Sequence, residues 1–553
     1  MKPGLRYLLA LPPLAFLAVF YFYPLGSIFW MSFLPEGVVN LSRLAKLVST
    51  SYYARVLWFT AWQAGLSTLI TLVIALPGAY VFARFEFKGK AWVQSLTMVP
   101  FVLPTVVTAA AFRALLGPKG LLNTLFNHMF TPEQPLIQID QTVWFFLMAH
   151  VFYNYTVMLR IVGGFWSRLP QNITDAAKML GASGSRTFFR ITLPLLAPAI
   201  LAASLLVFVF CFTSFGVVLL LGGPGLATLE VEIYRQALHL FNLPMASALS
   251  IIQILFTFGL MAVYTWLERK SAVSLMPNGP SVGGRPARFV KEKILVAGNL
   301  VFLALLLGTP PAALLFRSLW TEKGLSFLYY FSLLENPSQS ILYVAPVTAM
   351  VNSLVYAGGA MLIALALGSF SAGFLVNRRG KAAGLLDPIF MLPLSTSAVT
   401  LGFGFIIALD KPPLNLRASL LLPAIAHALV AFPFVIRSVL PAWRSIPHRL
   451  REAAALLGAS PMRTWLTVDW PILKRSLVTG AVFAFAISMG EFGATVFVVR
   501  PQVPTLPLAI FRYLSHPGEM NYGRAMAMSC LLMITTAAGF MLLEKINSRR
   551  GGL

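Results

Sequence analysis

Long apolar runs recur along this chain, separated by short polar connections. A membrane-spanning helix needs about 20 mostly apolar residues. Twelve runs qualify, near 8–31, 57–83, 91–115, 142–162, 197–221, 248–267, 294–316, 347–376, 384–409, 418–440, 476–499 and 523–543. Apolar residues follow one another within them without the period-two alternation of a barrel strand, so the runs predict helices and exclude a transmembrane barrel. The first run, uncharged from Tyr7 to Pro35, is about twice the ~7–15 apolar residues of a secretory signal and predicts a retained span, a cleaved signal being the alternative.

Composition sharpens this picture. Of 553 residues, 58% are apolar and 11% charged, with a mean hydropathy of +0.79. These values are those of an integral membrane protein, with the lipid bilayer as its surroundings. The net charge of +24 would suggest a nucleic-acid partner in a soluble protein. Here the basic residues gather in loops. With the N-terminus inside, inward segments hold 27 Lys and Arg and outward ones 11, which predicts a multi-pass protein of the inner or plasma membrane with both termini in the cytoplasm and no nucleic acid bound. Cys211 and Cys530 fall inside runs and imply neither a disulfide framework nor a cysteine metal site.

The chain also repeats itself. Residues 268–293, rich in Gly, Pro and basic side chains, read as a flexible linker. They separate a first repeat, 1–267, from a second, 294–553, with six runs in each. At an offset of 277 the halves share His150 and His427, Arg160 and Arg437, Trp166 and Trp443, Pro170 and Pro447, Phe215 and Phe492, and Arg235 and Arg512. Duplication of one six-span unit explains this. Both units run the same way through the membrane, so the expected fold is all-α, with about twelve spans in two halves related by an axis along the membrane normal and a pathway between them.

The best-preserved repeat lies in inward loops 163–196 and 441–475. It reads "DAAKMLGASGSRTFFRITLP" at 175–194 and "EAAALLGASPMRTWLTVDWP" at 452–471. After Asp175 or Glu452 comes a run of helix formers. Gly181 and Gly458 can take the left-handed conformation that ends a helix, and Ser183 and Ser460 can cap the next. Ala176-Ala177 and Ala453-Ala454 keep the short helix thin, so that a partner's groove can close around it. A plain duplicated turn, or a helix resting on headgroups, would not preserve such spacing.

This spacing is similar to the EAA motif of permease subunits in bacterial and archaeal ABC importers: Glu-Ala-Ala, three residues, Gly, nine residues, then Ile-x-Leu-Pro. The first copy has Asp175 for Glu, and the second ends "VDWP" at 468–471 in place of "ITLP" at 191–194. The resemblance implies that Asp175 to Gly181 and Glu452 to Gly458 are coupling helices, each seated in a cleft of an ATPase subunit. The chain has no GxxxxGK[ST] phosphate loop, and "RRGKAAG" at 378–384 lacks both its glycine spacing and its Ser/Thr. The resemblance therefore implies two copies of a separate ATPase, which bind ATP and Mg, while this chain carries no cofactor and no catalytic residue. It implies an extracytoplasmic substrate-binding protein as a further partner.

Polar groups inside spans point to pathways. Glu491 in "SMGEFGAT" and its counterpart Ser214 in "CFTSFGVV" each precede a Phe-Gly pair. Ser214, Phe215, Glu491 and Phe492 are thus candidates for the lining of a path, with the carboxylate and hydroxyl facing each other near the axis. The alternative is a packing site where glycine allows close approach. His150 and His427 read as satisfied core histidines rather than metal ligands, because no carboxylate or cysteine sits beside them at ligand spacing. Arg160 and Arg437 read as snorkelling side chains at span ends.

The outward segments "LGGPGLATLEVEIYRQAL" and "VVRPQVPTLPLAIFRYLS" are twins, each with Thr-Leu and an aromatic-Arg pair. Among fused two-repeat permeases the chain resembles the thiamine and ferric-iron importers, the thiamine group more closely, although "GEFGAT" is also similar to sulfate and molybdate permeases. The implied cargo is thiamine or its phosphates, with ferric iron or another small ion as the alternative. A secondary transporter would need buried ionisable groups for ion coupling, and beyond Glu491 the runs are nearly empty of acids.

Overall fold

The computed structural model describes residues 8–34, 42–130, 135–273, 284–335, 341–376, 381–410, 412 and 414–548. The middle of the linker, 274–283, and both chain ends lie outside these residues, as does part of 378–384. Among the described residues nine helices are long and apolar enough to cross a membrane: Leu11–Phe33, Ser51–Arg84, Val143–Trp166, Gly184–Phe212, Leu243–Leu267, Val290–Leu319, Pro346–Val376, Leu422–Arg444 and Pro461–Gly490. A tenth is counted if Leu386–Ser395 and Ala398–Ala408, bent by 97° at their junction, form one broken span. The helix Glu519–Ser548 covers the run at 523–543.

Two runs expected to be continuous are broken at matching places. The run at 91–115 divides into Lys90–Leu96, Val99–Val102 and Thr105–Leu116. Pro100 and Pro104 lie at these joints, and a proline both removes a donor and disfavours helix in the residue before it. In the second half the bend follows Pro393, and Ser397 starts the new helix by accepting a bond from the Val399 N–H at 3.1 Å. Two more runs stop early. The spans ending at Phe212 and Gly490 unwind through Ser214 and Glu491 before the short helices Gly216–Leu221 and Thr495–Val498.

Proline also explains four wide turns. Ala18–Phe22, Phe188–Thr192, Ala304–Gly308 and Trp465–Asp469 are π-helical, and each ends two residues before a proline, at Pro24, Pro194, Pro310 and Pro471. The proline ring collides with the carbonyl four residues back, and one wider turn relieves that collision without ending the helix.

The two halves exchange their first helices. Tyr23–Phe33 packs on the second half's Ala398–Ala408, while Thr309–Leu319 packs on the first half's Thr105–Leu116. Each also packs on the last helix of its own half. The buried Tyr21 hydroxyl meets Thr396 Oγ1 at 2.7 Å across the boundary. A single apolar core therefore runs through both halves.

Turn contacts separate two faces. On one, Phe85–Glu86 pairs with Arg285–Pro286 beyond the linker, Trp166 meets Tyr80 and Phe188, and Leu9 approaches Gly373 beside Trp443. On the other, Gln141 bridges to Gly222 and Arg500 bonds the Ala418 carbonyl. The duplicated loops lie on the first face, where the chain's first described residues also start. Here Arg285 grips Glu292 with both guanidinium nitrogens. The same carboxylate accepts from the Arg288 and Phe289 N–H groups and so caps the helix starting at Val290.

Candidate functional site

The duplicated loops fold alike. The short helices are Gln171–Met179 and His448–Leu456. Both begin after a proline, Pro170 or Pro447, so Asp175 and Glu452 sit in mid-helix rather than opening it. The endings follow the local chemistry read from the sequence. Gly181 has φ +80° and Gly458 φ +78°, a conformation that costs a residue with a Cβ about 1–2 kcal/mol. Ala182 N–H bonds the Ala177 carbonyl and Gly181 N–H that of Lys178, at 3.0 and 2.9 Å; Ala459 to Ala454 and Gly458 to Ala455 repeat this at 3.0 and 3.0 Å. These are paired Schellman endings. Ser183 and Ser460 then accept from the Arg186 and Arg463 N–H groups, each at 3.3 Å, and the returning helices begin.

At the tips stand two apolar pairs that the fold leaves bare. Met179 and Leu180 are 88% and 89% exposed; Leu456 and Leu457 are 88% each. Asp175 is exposed and lies 3.9 Å from Lys178, and Ala176, Glu452 and Ala453 are exposed beside the tips. Ala177 turns inward and is buried, while Ala454 is half-buried. Burying a leucine-sized side chain contributes about 1.5–3 kcal/mol, so four such side chains left bare at matched sites are a store of unused apolar surface.

The second constellation lies between the halves. The Phe215 and Phe492 rings stack with centroids 5.5 Å apart and planes at 19°. Tyr234 packs on Phe215 at 5.4 Å and its counterpart Phe511 on Phe492, also at 5.4 Å. The four rings make a symmetric row across the axis. Glycine makes it possible: a Cβ on Gly216 would lie 2.6 Å from Thr105 Oγ1 and 3.2 Å from Phe492 Cδ1.

Ser214 and Glu491 do not face each other, because each is held within its own half. Ser214 bonds His150 Nε2 at 2.8 Å, and Ser67 holds Nδ1 at 2.9 Å. The buried Glu491 carboxylate accepts from the Ala494 and Thr495 N–H groups at 2.9 Å each and from the Thr495 hydroxyl at 2.5 Å, so it caps the short helix that follows. His427 bonds Ser488 through Nδ1 at 2.7 Å and Thr495 through Nε2 at 2.8 Å. A hydroxyl has one proton, so with Thr495 donating to Glu491, His427 donates at Nε2 and accepts at Nδ1. Both histidines are thereby satisfied in the core. Among the described residues no cluster of three or more His, Cys, Asp or Glu side chains could hold a metal.

Three functional-looking groups escaped the sequence reading. Tyr234 and Phe511 belong to the noted aromatic-Arg pairs, but their reach to the axis depends on long-range packing. Glu230, 1% exposed, accepts from Gln253 Nε2 at 2.6 Å. The available signal was that its counterpart in the second copy is Pro507. Arg160 and Arg437 are exposed.

A model for the family described as "binding-protein-dependent transport system inner membrane component" matches residues 68–273 and again 364–550. The chain belongs to that family: it is a multi-pass, all-α inner-membrane permease, a transport component rather than a catalytic one. Among its relatives is the thiamine transport system permease protein ThiP of Brucella abortus (strain 2308), 27% identical over 507 residues, covering 90% of this chain and 89% of that one. ThiP of Escherichia coli (strain K12) is 24% identical with 90% of each covered. A probable ABC transporter permease protein, y4fN of Sinorhizobium fredii (strain NBRC 101917 / NGR234), is 24% identical with 86% of each covered. The crystal structure of a bacterial ABC transporter involved in alginate import aligns with a TM-score of 0.42 at 18% identity, over 50% of this chain and 97% of the other.

Proposed function

We propose that this permease imports thiamine or a thiamine phosphate, delivered by an extracytoplasmic binding protein, with energy from two copies of a separate ATPase. The observation that carries the coupling is the matched pair of bare apolar tips, Met179-Leu180 and Leu456-Leu457, on one face of the protein. In this reading that face is cytoplasmic, in keeping with its excess of Lys and Arg, and both termini lie on it. The units 1–267 and 294–553 are the two moving bodies, joined by 268–293. As the ATPases close on ATP and Mg and reopen after hydrolysis, the tips are carried with them. The halves then part and rejoin at the ring row, and Ser214, Phe215, Glu491 and Phe492 line the path while it is open. The cargo assignment rests on relatives named for thiamine transport along nine-tenths of the chain.

The test is uptake by proteoliposomes holding this chain with its ATPase and binding protein. Thiamine uptake that stops without ATP is the expected result. Uptake of ferric iron alone would replace the cargo, and uptake driven by an ion gradient without ATP would replace the mechanism with that of a secondary transporter.

A further inference from the structure

The duplicated coupling segments share their backbone bonds but not their attachment to the membrane body. Gln171–Met179 buries Ala177, at 9% exposure, and packs on its own return helix Gly184–Thr187. His448–Leu456 buries no residue at all. A helix that passes on a partner's movement must nevertheless be fixed to what it moves. In the second copy one bond reaches across the return: Arg451 Nε lies 2.8 Å from Asp469 Oδ1, with only 22% and 10% of the two side chains exposed. Asp469 closes the π-helical turn Trp465–Asp469 at the foot of the next span. In the first copy the matching residues are Thr174 and Thr192, which cannot form an ion pair. The departure of "VDWP" from "ITLP" therefore introduces the carboxylate that this bond requires.

We propose that Arg451 and Asp469 are positioning residues that clamp the second coupling helix to its span. The proposal rests on the coupling-helix reading above. A partly buried pair suits the task, because it is screened less than a surface pair and removing one partner leaves the other uncompensated. The π-helical foot supplies the geometry. Its wider turn holds Asp469 where Arg451, eighteen residues earlier, can reach it.

The test uses this chain with its ATPase and binding protein in proteoliposomes. It reads solute taken up per ATP hydrolysed, together with retention of the ATPase when the chain is captured. Arg451→Gln and Asp469→Asn should each lower uptake per ATP about tenfold with the ATPase retained, and the exchange Arg451→Asp with Asp469→Arg should recover it to within about threefold. Recovery on exchange shows that the two residues act as a pair, and uptake per ATP with the ATPase retained is the readout that a merely structural pair would not move. Unchanged coupling in both single variants overturns the clamp. So does an exchanged protein that inserts and holds its ATPase yet stays uncoupled. Leu180→Glu combined with Leu457→Glu, one change in each tip, separates this outcome from failure of the underlying reading. If that variant retains the ATPase, the coupling-helix assignment itself falls. If it loses the ATPase while the clamp variants couple normally, only the clamp falls.

Discussion

Compared turn by turn, Gln171–Met179 and His448–Leu456 end in the same pair of carbonyl bonds, pass through the same left-handed glycine and hand over to the same serine cap. They differ in what ties them to the following span, because only the second is joined to the foot of its span by an ion pair. What is duplicated is the turn geometry and a bare apolar tip, Met179-Leu180 or Leu456-Leu457, which the proposed function offers to a partner. What has diverged is the internal support, which any fixing of adequate stiffness can provide. A sequence repeat therefore reports most faithfully on the docking face.

The sharpest way to break this comparison is Gly458→Asp. It puts a Cβ at φ +78° and a charge beside Leu456-Leu457. Uptake should fall about a hundredfold, as for a lost interface hot spot, with the protein still inserted. Gly181→Asp should act as strongly; a large difference between them would mean that the two tips do not dock alike.

Truncating the tips is next. Met179→Ala with Leu180→Ala, and Leu456→Ala with Leu457→Ala, each remove two side chains worth about 1.5–3 kcal/mol apiece when covered. Each pair should weaken ATPase binding at least tenfold, read by titration of the solubilised complex. Unequal losses would sharpen the account by assigning the firmer socket to one half.

The smallest expected effect concerns the axis. Phe215→Leu and Phe492→Leu keep most of the apolar volume and lose a ring pair worth about 0.5–1.5 kcal/mol. Each should lower the thermal unfolding midpoint in detergent modestly, and the double variant should lose less than the sum of the two, because the rings contact each other. Additive losses would mean that the halves do not meet through these rings.

How much of this was legible follows the range of the interactions. The coupling segments were readable because glycine endings and serine caps are decided within a few residues, although Pro170 and Pro447 start the helices earlier than the acids suggested. Span positions were readable from apolar runs, but not their breaks: Pro100, Pro104 and Pro393 were visible, yet an apolar count does not register a missing N–H. Phe215 and Phe492 were found through the repeat. That they meet each other is a contact between residues 277 apart, and that Ser214 turns back into its own half depends on a histidine 64 residues away. The exchange of first helices left no local signal, and the matched family regions begin beyond those helices, at residues 68 and 364.

The central claim is that one chain presents two unlike but equally equipped sockets to an ATPase. Its most direct test is the mass of the intact complex, measured on this chain purified with its ATPase from the membrane. Two ATPase copies on one permease chain is the result the account predicts; a complex that saturates with a single copy, or a chain that holds none, would contradict it.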